Sequence, residues 1–113
     1  MKRDPKILLL DVLESIEKIE KYLKRVDKST FLKDTEKQDS VIKRLEVIGE
    51  AVKNVPVSVK KKNPEIPWKE IAGMRDKLIH EYFGIGLDKV WITAKKDLPS
   101  FKDQIKQILE EIK

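Results

Sequence analysis

Thr35-Glu36-Lys37-Gln38-Asp39-Ser40-Val41-Ile42-Lys43-Arg44-Leu45-Glu46-Val47-Ile48-Gly49-Glu50-Ala51-Val52-Lys53-Asn54-Val55 is the stretch that decides the fold class. It opens on Thr35-Glu36-Lys37-Gln38, a capping-box pattern whose hydroxyl and amide can satisfy the first free N–H groups of a helix. Val41, Leu45, Ile48, Val52 and Val55 then recur at intervals of three and four, which lines them along one face of a helix. Gly49 lies mid-helix, where glycine costs about 1 kcal/mol relative to alanine. Two explanations stand: close approach of another backbone, or a role in substrate access.

The same period extends outward. Asp4-Pro5 reads as an N-cap followed by a proline at the first helical position, and Leu9, Leu13, Ile16, Leu23 and Val26 follow at helical spacing. Glu17-Lys21 and Glu20-Lys24 are set for (i, i+4) ion pairs on the wet face. A break at Asp27-Lys28-Ser29-Thr30 precedes Phe31-Leu32. After the second helix, Pro56, Pro64 and Pro67 punctuate a connection with room for a turn or two of helix. Its Lys60-Lys61-Lys62 run is either solvated charge or a contact for a phosphate backbone. Pro67 starts a third helix, with Gly84 as its C′ glycine. A fourth begins near Asp88 with Val90 and Trp91, is kinked or restarted at Pro99, and continues through Phe101, Ile105, Ile108, Leu109 and Ile112. No run alternates at period two. The expected fold is all-α, an up-and-down bundle of four main helices plus a short linking helix, in a single domain over residues 1–113.

Composition narrows the chemistry. A chain of 113 residues can bury roughly two-thirds of its unfolded surface in one core. It has no cysteine and one histidine, so disulfides, a thiolate nucleophile and a cysteine-based zinc site are excluded, and no metal or cofactor is expected. The early charges of Met1-Lys2-Arg3-Asp4 and the lack of a long apolar run lead us to expect a cytoplasmic protein without signal peptide or membrane span. The net charge of +5 favours polyanionic partners.

The one histidine lies in Met74-Arg75-Asp76-Lys77-Leu78-Ile79-His80-Glu81-Tyr82-Phe83-Gly84. An imidazole, a guanidinium, a carboxylate and a phenol within eight residues supply proton transfer, charge neutralisation and orientation, which suffice for a phosphodiester. A packed or capping histidine is the plainer alternative on these residues alone. On a helix Asp76 and His80 share a face at (i, i+4), so the carboxylate can orient the ring, while Arg75 lies roughly 140° away. Cleavage of RNA by its own 2′-hydroxyl needs both a base and an acid, and one histidine serves poorly as both at once. A two-fold dimer would bring two histidines and two arginines to one cleft.

Ser40 to Ala51, and Pro64-Glu65-Ile66-Pro67-Trp68-Lys69-Glu70-Ile71-Ala72-Gly73-Met74-Arg75 through Gly84, resemble the HepT family of the HEPN superfamily. The likeness includes Val90-Trp91 through Asp97-Leu98-Pro99 and covers about residues 7 to 110. The Arg-x4-His-x-Tyr pattern is present as Arg75, His80 and Tyr82. The resemblance implies a HEPN-like fold and a metal-independent endoribonuclease, the toxin of a type II toxin–antitoxin pair, with its site at a homodimer cleft. His80 would then be the acid/base and Arg75 the group holding the scissile phosphate; Asp76 as orienter follows from helical geometry. The resemblance also implies an MntA-type nucleotidyltransferase antitoxin that attaches AMP to Tyr82. Lys43 and Arg44 are candidate RNA contacts because relatives carry an arginine near this place; an ion pair of Lys43 with Glu46 is the alternative. A second function also fits such bundles: a non-catalytic nucleotide-binding or scaffold subunit of a nucleotidyltransferase complex.

Overall fold

The computed structural model describes residues 4–80 and 86–112, with residues 75–80 described as helical backbone alone. We number the helices α1 (Pro5–Tyr22), α2 (Lys28–Phe31), α3 (Thr35–Lys53), α4 (Val57–Lys62), α5 (Trp68–His80), α6 (Leu87–Ile92) and α7 (Leu98–Ile112), with a π-helical turn at Thr93–Asp97 between the last two. No strand occurs among the described residues. The four main helices are α1, α3, α5 and the α6–π–α7 rod. α4 is the expected short link, and α2 is a further single turn within the segment that the sequence marks as a break.

Three aspartates start three of these helices. Asp4 accepts from the backbone N–H of Lys6, with Pro5 in the first turn, and Asp27 accepts from Thr30 N–H at 2.8 Å. That N–H, with the Thr30 hydroxyl, holds the Asp27 carboxyl below its ordinary pKa. The cap of α3 is Asp34, accepting from Lys37 N–H at 3.1 Å, so the cap lies one residue before the expected Thr35. A carboxylate suits the positive end of the helix better than a hydroxyl. Gln38 is thereby freed from the capping box: it is buried, and its Nε2 donates to the carbonyl of Phe31 at 2.9 Å.

The core is one cluster drawn from every main helix. All five stripe residues are buried, four of them in α3 and Val55 just beyond its end, and α3 packs along both α1 and α5. α7 packs on α1, where Lys102 Nζ meets Glu20 Oε1 at 2.7 Å. Glu20 therefore pairs across helices rather than with Lys24, and this contact raises the Lys102 pKa. An (i, i+4) pair along α1 is Glu14–Lys18 at 3.3 Å. Trp68 of α5 meets Phe101 of α7 edge to face, ring centroids 6.3 Å apart, which closes the bundle.

The expected restart of the helix at Pro99 is present as the start of α7. The proline falls in the first turn of α7, directly after the π turn. Proline lacks the N–H for an (i, i−4) bond and crowds the carbonyl four residues back, and the wider π turn relieves that crowding. Lys95 of this turn stays exposed and reaches across the surface, its Nζ donating to the carbonyl of Leu23 at 3.3 Å and lying 5.0 Å from the Trp91 ring centre. Ile112, expected to extend the α7 stripe, remains more than a third exposed at the helix end.

Candidate active site on helix α5

α5 begins at a rigid corner. Trp68 is buried, its indole Nε1 donates to the carbonyl of Asn63 at 2.9 Å, and its backbone N–H donates to Ile66. Asn63 in turn donates from Nδ2 to the Val59 carbonyl, tying the end of α4 into the same corner. The Pro67 carbonyl accepts from Ile71 N–H, so Pro67 precedes the first residue of α5. Ile71, Ala72 and Met74 then pack against the core.

The motif continues this helix. Arg75, Asp76 and His80 have their backbone in α5, which places Asp76 and His80 on one face and Arg75 roughly 140° from His80. Glu81, Tyr82 and the expected terminating Gly84 lie outside the described residues. A neighbour in this stretch that the sequence reading passed over is Gly73. It precedes Asp76 by three and His80 by seven, so it shares their face. A Cβ added at Gly73 would meet no atom within 4 Å. The Cβ position of Gly73 is therefore open, and its spacing to Asp76 and His80 was the signal that could have found it. Gly73→Ala is expected to raise folding stability by about 0.5–1 kcal/mol in urea unfolding, through helix propensity alone; a loss would mean that another surface already occupies the space.

Two further candidates lie on α3, the helix adjacent to α5. Lys43 is exposed and Arg44 half-buried at the edge of the packed face. No ion pair joins Lys43 to Glu46, so the intrahelical alternative for Lys43 is not formed. Gly49 is buried within α3. Among the described residues there is no group of three or more histidine, cysteine or acidic side chains placed to hold a metal ion. No described helix is long and apolar enough to cross a membrane.

Residues 12–108 match the family model described as "Ribonuclease HepT-like". The chain belongs to the HepT-like ribonuclease family. Among relatives of this HepT-like chain, one from Thermococcus cleftensis named "Probable ribonuclease HepT" is 47% identical over 108 residues, covering 96% of this chain and 98% of its own. One from Caldanaerobacter subterraneus named "Putative RNase" is 41% identical over 111 residues, 98% of this chain and 99% of its own. A longer relative from Methanocaldococcus jannaschii, "Gamma-glutamylcyclotransferase and putative RNase", is 48% identical over 99% of this chain. The HepT-like chain spans only 50% of that protein's length. No solved structure gives a significant match.

Proposed function

We propose that this HepT-like chain is a metal-independent endoribonuclease, the toxin of a type II toxin–antitoxin pair, acting as a single helical domain that dimerises to complete its site. The observation that carries the reading is the family match across residues 12–108, together with Arg75, His80 and Tyr82 in the spacing such nucleases use. In the reaction one His80 imidazole takes the proton of the ribose 2′-hydroxyl as its oxygen attacks phosphorus. The bond from phosphorus to the 5′-oxygen breaks, and the partner protomer's imidazolium protonates that oxygen. Arg75 offsets the charge that builds on the phosphoryl oxygens, and Asp76 orients the ring. The products are a 2′,3′-cyclic phosphate and a 5′-hydroxyl, with no metal required.

The same reading supplies an off-switch. An MntA-type nucleotidyltransferase would join AMP to the Tyr82 hydroxyl, with pyrophosphate leaving from ATP. The adduct puts bulk and a negative phosphate two residues from His80, which excludes RNA by volume and by charge. The test is incubation of purified protein with single-stranded RNA in EDTA, with the product ends mapped. Cyclic-phosphate ends are the expected result. Cleavage that appears only on adding a divalent ion overturns the metal-free mechanism. An unmodified dimer that leaves RNA intact overturns the nuclease reading in favour of the scaffold subunit.

A further inference from the structure

The positive charge of the chain is unevenly placed. α1 and α7 each carry one more acidic than basic residue, whereas residues 53–70 hold five lysines against Glu65 and Glu70, a surplus of three in a net charge of +5. Three of those lysines, Lys60, Lys61 and Lys62, end α4, which has no acidic residue of its own. Lys60 is half-buried, and Lys61 and Lys62 are exposed. None of the three forms an ion pair with a described residue. A helix C-terminus carries about half a negative charge, so Lys60 alone offsets it and the other two remain in excess.

These lysines stand on a fixed base. The hydrogen bonds of Asn63 to Val59 and Trp68 lock the end of α4 to the start of α5. From that corner α5 continues to His80, a helical rise of about 18 Å at 1.5 Å per residue. An RNA strand held at its scissile phosphate near the far end of α5 is long enough to reach the α4 corner several nucleotides away. We propose that Lys61 and Lys62 form a second phosphate-binding site, which grips the RNA backbone at a distance from the scissile bond and without regard to base. The inference rests on the ribonuclease reading above. It identifies the substrate as a strand of several nucleotides rather than a dinucleotide.

The test is RNA binding in the His80→Ala background, followed by fluorescence anisotropy with a labelled single-stranded RNA of about 16 nucleotides. Affinity is measured between about 50 and 200 mM salt. Each phosphate contact to a single strand contributes about 0.7 to the slope of log affinity against log salt, so Lys61→Gln with Lys62→Gln should reduce that slope by about 1.4. Lys61→Arg with Lys62→Arg should restore it. A control pair removing the same charge elsewhere, Lys21→Gln with Lys106→Gln, should change it much less. The melting temperature of the Lys61/Lys62 glutamine variant should match its parent, since Lys60 still serves the helix end. Equal effects from both glutamine pairs, or an unchanged slope in the Lys61/Lys62 variant, overturn the proposal while leaving the nuclease intact. A parent that binds no RNA, from a wild type that cleaves none, overturns both.

Discussion

Replacing His80 by alanine is expected to lower RNA cleavage by about 100- to 10,000-fold, the usual contribution of a positioned general acid or base. The expected loss is large because the chain has no second histidine. In a dimer whose two imidazoles act as base and acid, one substitution removes both groups, so the effect should lie toward the upper end of that range. The loss should appear in the rate of the bound complex rather than in RNA affinity, because the imidazole acts on protons in flight while lysines and arginines hold phosphate. Single-turnover cleavage in EDTA beside anisotropy binding separates the two. Circular dichroism and melting of the variant should match wild type, so that the loss is one of chemistry and not of folding. A variant that cleaves within a few-fold of wild type would remove His80 from the mechanism and leave it a structural residue.

The largest stability effect is expected from Phe31→Ala, at about 3–5 kcal/mol. Phe31 is fully buried although its helix is a single turn of four residues. Its ring lies 5.4 Å from that of Trp91, and its carbonyl accepts the Gln38 amide. One residue thus joins α2, α3 and α6, its ring reaching Trp91 and its backbone carbonyl holding Gln38. Its removal leaves a cavity at their junction and loosens the segment that keeps buried Gln38 satisfied. Against a typical domain stability of about 5–15 kcal/mol, such a loss should shift the urea midpoint markedly, with Trp91 fluorescence moving in the same transition. Phe31→Leu should cost much less, because it keeps most of the volume. A cost under about 1 kcal/mol for the alanine variant would mean that α2 swings away freely and that the junction is not part of the cooperative core.

The two expectations depend on different kinds of information. The residues of the motif were legible from the chain alone. Their helical spacing follows from the backbone period, and the placement of Arg75, Asp76 and His80 on α5 agrees with it. The long helices were legible for the same reason. Val41, Leu45, Ile48, Val52 and Val55 repeat often enough to record a face, and all five are buried. A four-residue helix has no such record. α2 therefore read as a break, although Asp27 and the aromatic Phe31 within it define a capped and anchored turn. The cap of α3 was displaced by one residue because Asp34 and Thr35 are both good caps in isolation, and only the packing of Gln38 beneath Phe31 separates them.

What the sequence by itself determined is the all-α class, the four main helices and most of the buried face of α1, α3 and α7, because each is written in spacing of under eight positions along one backbone. What only the tertiary structure decided involves groups distant in sequence. Glu20 chose Lys102 over Lys24. Lys95, in the π turn before Pro99, reached across the surface to the carbonyl of Leu23, 72 residues away. Lys43 was left in solvent while Arg44 settled at the edge of the packed face. Local periodicity fixes which way a side chain points from its own helix, but its partner depends on which helix lies opposite, and the core sets that by the way its helices pack.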